Sequence, residues 1–390
     1  MLRECDQKFA ADFLARVEKK LSIMAPQIGG NFPYTVNSTG EWRPKGEENS
    51  IFNWTNGYWP GMMWLMYIKT GEEQYRTYAE ECEEKLDEAL NVFSGLHHDV
   101  GFMWSLTSVA NYKITGNKRA RMRALHAATI LAGRFNPMAK FIRAWNWSSA
   151  PKGWAIVDSM MNIPILEWAA KDSSEPDPRF SHVARLHADT IMRAFVRPDG
   201  SVNHIVDFDT TTGEVVATPG GQGYASGSSW SRGQSWALYG FTAAYLNSGK
   251  QEYLDTAKKV AHYFMANVKP GELPLVDFRA PREPVYYDAS AAAIAACGLI
   301  EIAGVVDEME ADIYYDAAID YLRVLDKNCN YSEDELVLLQ NNSGSYHEKG
   351  SIHNPYIFGD YYLLEALMKL YGNDGRFIIH EEKSFYGKEI

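Results

Sequence analysis

Apolar side chains return at helical spacing along almost the whole chain, and the helical stretches come in pairs joined by tight turns. The first stretch, 6–23, sets Phe9, Phe13, Val17 and Leu21 four residues apart. Further helices are predicted over 58–69, 72–93, 102–114, 117–135, 157–170, 178–195, 230–247, 251–267, 289–305, 310–329 and 359–370. Three of the joints read Lys69-Thr70-Gly71, Thr115-Gly116-Asn117 and Ser248-Gly249-Lys250, each with glycine where a helix C-terminus wants a left-handed residue. A pair of amphipathic helices cannot bury its apolar face alone, so successive hairpins must pack on one another. Such hairpins either close into a ring or run on as an open superhelix. The expected fold is all-α, an (α/α)6 barrel in a single domain over 1–390. Short turns would line one rim. Longer loops rich in Gly, Ser, Trp and His would line the other, where function should concentrate. The longest irregular stretch, 198–229, is expected to be functional or to carry a small hairpin.

Charge and motif content then narrow the function. A net charge of −12 with scattered acids and bases leaves no basic face, so a nucleic-acid partner is not expected. Four cysteines without a Cys-x-x-Cys pair, no apolar leader and no membrane-length apolar run point to a cytoplasmic protein without a membrane partner, a monomer or small homo-oligomer. Phosphate and dinucleotide glycine motifs, His-Glu-x-x-His and Gly-x-Ser-x-Gly are all missing from the sequence, so no cofactor and no metal are expected. His97-His98-Asp99 has ligand-type residues, but adjacent side chains rarely point the same way.

Aromatic residues make up 13% of the chain, and many fall beside Gly, Pro or Asn in loop-like segments: Trp54, Tyr58, Trp59, Trp145, Trp147, Trp154 and Trp230. They can fill a core, or they can stack on the apolar faces of sugar rings in a cleft. Two aspartates sit where helical patterns begin, Asp99 in His97-His98-Asp99-Val100-Gly101-Phe102 and Asp158 in Val157-Asp158-Ser159-Met160-Met161-Asn162. Each could be a helix cap. Converging on one cleft, they could instead divide labour, one ionised and the other holding a proton as a general acid. His204 and Gln222, both in the long irregular stretch, and Arg232 at a helix start are further candidates. A guanidinium suits a uronate carboxylate.

Several separate segments in order give the sequence a family likeness. They are Trp54-Thr55-Asn56-Gly57-Tyr58-Trp59-Pro60-Gly61, the Asp99 and Asp158 motifs, Trp230-Ser231-Arg232-Gly233-Gln234-Ser235-Trp236, Asp288-Ala289-Ser290-Ala291-Ala292-Ala293 and Ile357-Phe358-Gly359-Asp360-Tyr361. With these the chain resembles glycoside hydrolase family 88, the unsaturated glucuronyl hydrolases. The resemblance implies an (α/α)6 barrel. It also implies removal of a 4,5-unsaturated uronic acid from the non-reducing end of oligosaccharides left by polysaccharide lyases. That reaction begins with hydration of the C4=C5 double bond. It places the general acid/base at Asp158 and a supporting carboxylate at Asp99. Substrate contacts are implied at Trp54, Trp145, His204, Gln222, Arg232, Trp236 and Tyr346. Members that take sulfated fragments carry a serine-lysine motif near the C-terminal loop. This chain reads Ser345-Tyr346-His347-Glu348-Lys349-Gly350 there, and Glu348 favours unsulfated substrates. The rival expectations are an unsaturated rhamnogalacturonyl hydrolase on the same barrel and a non-catalytic carbohydrate-binding helical protein.

Overall fold

The computed structural model describes residues 3–36, 42–43, 51–146, 150–172 and 176–380. Its helices are α1 (Glu4–Ile28), α2 (Tyr58–Thr70), α3 (Glu73–Lys85), α4 (Asp87–Val92), α5 (Val100–Trp104), α6 (Ala110–Thr115), α7 (Lys118–Ala132), α8 (Pro164–Lys171), α9 (Pro178–Phe195), α10 (Ser231–Ser248), α11 (Gln251–Asn267), α12 (Ala289–Ala303), α13 (Glu308–Asp326) and α14 (Ile357–Tyr371). A π-helical stretch, Ser105–Val109, joins α5 to α6, so 100–115 acts as one long helix with a bulge.

These elements close into an (α/α)6 barrel. Helices α2, α5–α6, α8, α10, α12 and α14 form the inner ring, and α3, α7, α9, α11, α13 and α1 back them from outside. Composition explains the division. Every residue of α12, an Ala-rich run with one glycine, is buried, as is α14 from Ile357 to Lys369. Helices with apolar residues on every side belong inside, and the charges they do carry are paired there, as Lys369 is with Glu301 at 2.6 Å. The outer helices keep one wet face, as in α7, where Ala120, Ala124, Ala127, Ala128 and Leu131 point inward. Short joints after α2, α6 and α10 end in Gly71, Gly116 and Gly249 with φ of 73°, 73° and 70°, a left-handed backbone that glycine adopts without strain.

Besides shifts of a few residues at other helix ends, three expected helices differ in detail. The stretch 72–93 breaks at Leu86, because Asp87 opens a separate short helix and bonds Arg123 of α7 through both carboxylate oxygens. The stretch 157–170 divides into a 3-10 turn, Val157–Met161, and α8, which begins at Pro164. Proline starts that helix rather than kinking it, since the first turn needs no N–H. The 102–114 stretch begins earlier, at Val100.

Short strands decorate the long-loop rim and do the positioning. Trp154–Ile156 pairs antiparallel with Ile205–Phe208, with Ile156 opposite Ile205, and Val215–Ala217 adds a third strand. The irregular stretch 198–229 thus carries a hairpin. Because Val157 N–H bonds the His204 carbonyl at 3.1 Å, that register sets Asp158 beside His204. Among the described residues no helix is long and apolar enough to cross a membrane.

Candidate active site

A cavity of about 810 Å³ opens among the long loops, within the size range of small-ligand sites. Asp99 and Asp158 both face it, as do Trp54, Trp145, His204, Gln222 and Arg232. Seven of the nine candidate residues therefore meet in one place. Trp236 and Tyr346 do not line it. Trp236 is fully buried on α10 against Phe102 and Tyr362, its ring centroid 5.1 and 5.3 Å from theirs, because the first turns of α10 face the barrel axis. Tyr346 packs its ring between Tyr224 and Tyr286 behind the loop, at 5.0 and 5.4 Å. Trp147 lies outside the described residues.

Neither aspartate is a cap. Asp99 occupies the position before α5 but makes no side-chain bond to the helix. The 3-10 turn that holds Asp158 likewise has no side-chain cap. Asp99 is instead surrounded by donors. His98 Nε2 and Asn162 Nδ2 lie 3.1 and 3.3 Å from its Oδ1, and His97 Nδ1 lies 3.4 Å from its Oδ2. His98 Nδ1 stands 3.0 Å from the Ala144 carbonyl, so both ring nitrogens face oxygen atoms. Burial alone would raise the Asp99 carboxyl, but His98, His97 and Asn162 overcome it and hold Asp99 below its ordinary value.

Asp158 has the opposite setting. Burial first, and the charge of Asp99 second, push its carboxyl up to about 7. Its Oδ1 sits 3.8 Å from His204 Nε2, too far for a direct hydrogen bond, and neither atom has a partner among the described residues. His204 Nδ1 lies 3.0 Å from the Gln222 N–H, which can only donate, and 3.3 Å from the Gly220 carbonyl; the shorter contact favours a ring proton on Nε2, toward Asp158. Burial lowers His204 to about 3, which keeps that ring neutral. One ionised and one protonated carboxyl in a single cavity is an acid–base arrangement that works near neutral pH.

Glycine at position 101 permits this closeness. A Cβ there would come within 2.3 Å of the Asn162 Cα and carbonyl oxygen. Asn162 in turn accepts the Phe102 N–H at 2.7 Å, bonds Asp99, and donates to the Asp158 carbonyl at 3.1 Å. It links the two carboxylate segments, and its place in the Asp158 motif was the only sequence signal for it. His98, equally, belongs to the Asp99 motif, where the sequence marks it as a ligand-type neighbour and not as a substrate contact.

The remaining candidates are tied to loops. Arg232 Nη1 bonds Asp288 at 2.5 Å and the Ser343 carbonyl, and Nη2 bonds the Gly344 carbonyl at 2.7 Å. Its guanidinium also lies over Trp230 and Phe358, 4.5 and 5.1 Å from the ring centroids. Gln222 donates from Nε2 to the Gly344 carbonyl at 2.8 Å. Trp54 stacks near Phe358 and Phe102, and Trp145 stands edge-on to His98. The expected divergence of three adjacent side chains does not occur. The side chains of His97, His98 and Asp99 do converge, with ligand-type atoms all within 4.8 Å, because the turn before α5 folds the three inward.

Comparison with known proteins identifies the family. The family described as Glycosyl Hydrolase Family 88 matches residues 32–269. The unsaturated glucuronyl hydrolase of Bacillus sp. (strain GL1) is 37% identical over 352 residues, 88% of this chain and 92% of that protein. The unsaturated chondroitin disaccharide hydrolase of Streptococcus pneumoniae (strain ATCC BAA-255 / R6) is 31% identical, with 82% of each covered. A crystal structure of an unsaturated glucuronyl hydrolase specific for heparin superposes with a TM-score of 0.85 at 30% identity, covering 93% of this chain and 97% of that one. A chain that shares this much sequence and fold with such hydrolases belongs to glycosyl hydrolase family 88.

Proposed function

We propose that this glycoside hydrolase is an unsaturated glucuronyl hydrolase. It removes the 4,5-unsaturated uronic acid from the non-reducing end of oligosaccharides made by polysaccharide lyases, acting as one catalytic domain over 1–390. The observation that carries the reading is Asp158, poised at about 7 in a cavity walled by tryptophans. The C4=C5 bond of the substrate is an enol ether to the ring oxygen. Protonated Asp158 gives its proton to C4, and positive charge develops on C5 and the ring oxygen. Water then adds at C5 and loses a proton to the Asp158 carboxylate, so one group serves as acid and then as base. The hemiketal opens by breaking C5–O5 to give a C5 ketone and a hemiacetal at C1. That hemiacetal collapses to the aldehyde, breaking the C1–O bond, and its hydroxyl proton ends on the former glycosidic oxygen, which leaves with the rest of the sugar. Ionised Asp99 keeps the Asp158 proton in place and stabilises the positive charge. The free His204 Nε2–H is the donor available for a water or substrate oxygen beside Asp158. Trp54 and Trp145 offer stacking faces, and Gln222 and Arg232 offer polar contacts.

The test is direct. Unsaturated chondroitin and hyaluronan disaccharides are mixed with the protein and the ultraviolet absorbance of the conjugated bond is followed. The absorbance falls with wild type and stays constant with Asp158→Asn, which still folds and binds. If no unsaturated glucuronyl or galacturonyl substrate loses absorbance, the proposal is wrong.

Charge supports a preference for unsulfated substrates. Among the described residues lining the cavity, Arg232 is the only arginine or lysine, and Asp288 matches its charge. The Glu348 carboxylate at the mouth and ionised Asp99 then leave the cavity negative, which disfavours a sulfate on the second ring. Four free cysteines support action in the cytoplasm, and the protein is proposed to act as a monomer or small homo-oligomer.

A further inference from the structure

We propose that His187 is a positioning residue that sets the spacing of Asp158 against Asp99 by tying together the two backbone segments that hold them. It rests on the catalytic reading of Asp158 given above. His187 lies on the outer helix α9, points inward and is fully buried. Its Nδ1 accepts the Ile142 N–H at 3.0 Å. A ring nitrogen that accepts carries no proton, so the neutral ring is protonated on Nε2. Nε2 donates to Ser159 Oγ at 2.6 Å, and the Ser159 hydroxyl donates onward to the Ile156 carbonyl at 2.5 Å. Burial, with a smaller push from His98, lowers the ring to about 3, so this polarity holds at any working pH.

Both ends of the relay lead to a carboxylate. Ser159 is the residue after Asp158 in the 3-10 turn Val157–Met161. At the other end, two residues past Ile142, the Ala144 carbonyl accepts the His98 backbone N–H at 3.2 Å and faces His98 Nδ1 at 3.0 Å. His98 Nε2 stands 3.1 Å from Asp99. One imidazole thus fixes the Asp158 turn to the segment that holds the partner of Asp99. The groups that face Asp158 are Asp99 and His98 from the segment before α5, Arg232 from α10, His204 from its strand and Tyr362 from α14. His98 faces His187.

The test compares wild type with Ser159→Ala, His187→Ala, His187→Gln and Asp158→Asn, using initial rates on an unsaturated disaccharide across pH. Ser159→Ala and His187→Ala lower kcat about tenfold or more while KM stays within about threefold, the size expected of a small misplacement of a catalytic group. The alkaline limb of kcat/KM also moves to lower pH, because an Asp158 that drifts from Asp99 loses part of its upward push. His187→Gln, which can still donate near the Nε2 position, recovers part of kcat. Ser159→Ala keeps the bond from Ile142 to His187 and decides the matter if His187→Ala fails to fold. Wild-type kcat in a folded Ser159→Ala overturns the assignment, as does a loss of kcat with the alkaline limb unmoved. An inactive wild type, or an active Asp158→Asn, overturns the catalytic reading as well. An active wild type, a dead Asp158→Asn and unaltered relay variants overturn the positioning role alone.

Discussion

Replacing Asp99 with asparagine removes one charge from the cavity and keeps the shape of the side chain. Asp158 stands at about 7 against an ordinary 3.8, with burial the larger cause and the Asp99 charge the second. The full rise corresponds to about 4 kcal/mol of penalty on the ionised form. Repulsion between two like charges sharing a cavity is on the order of 1–2 kcal/mol after screening, or about one pH unit of that rise. Asp99→Asn should therefore bring Asp158 down to about 6. At pH 7 about half of wild-type molecules hold the proton and about a tenth of the variant's do. The assay is initial rate of absorbance loss at low substrate concentration, from roughly pH 5 to pH 9, since kcat/KM reports the groups of the free enzyme. The amplitude falls too, because Asp99 also supports the developing charge. The position of the alkaline limb is the diagnostic quantity. It should move down by about one pH unit. A limb that stays in place or moves up refutes the electrostatic coupling.

Asp158→Asn should stabilise the fold as it abolishes turnover. A carboxyl whose folded value lies above its unfolded value costs nothing while both states are protonated, and it destabilises increasingly as pH rises from about 4 through 7. The gain in Tm over wild type should therefore be larger at pH 8 than at pH 5, and equal gains would contradict the raised value. Glu348→Lys should raise kcat/KM for 6-sulfated over unsulfated disaccharide several-fold, from roughly 1 kcal/mol per charge change near a partly exposed site, and added salt should shrink the ratio. A ratio that does not change places the sulfate elsewhere. Gly101→Ala forces a methyl into the Asn162 backbone, so it should cost about 2 kcal/mol or more by denaturant unfolding and cut kcat more than it raises KM. Wild-type stability in that variant would show that α5 can shift freely.

The ring was legible because its signal is long and redundant. Period-3.6 apolar spacing over a dozen stretches, with glycine at three joints, left few alternatives, and α9 and α11 even end where the spacing does. The sheet on the rim was not legible. Strands of three or four residues, such as Trp154–Ile156 and Ile205–Phe208, are too short for an alternation to register, and their pairing spans about fifty residues of chain. That pairing is what places His204 beside Asp158. Sequence could nominate both residues but not their adjacency.

The same limit explains which contacts were misjudged. Trp236 and Arg232 lie four apart on α10, on one face of the helix, yet only Arg232 reaches the cavity because Trp236 sits one turn deeper in the barrel. Arg232 also meets Asp288, a partner in another loop, so its charge is already matched before any uronate arrives. A substrate carboxylate would then be recognised through the remaining N–H donors more than through net charge, and ion pairing with a matched guanidinium gains little. This makes Asp288 the residue that holds the Arg232 fork at a fixed angle. It also accounts for an anionic substrate being compatible with a cavity that carries no excess of positive charge. Binding of the uronate should accordingly depend weakly on ionic strength, unlike the sulfate discrimination proposed for exposed Glu348.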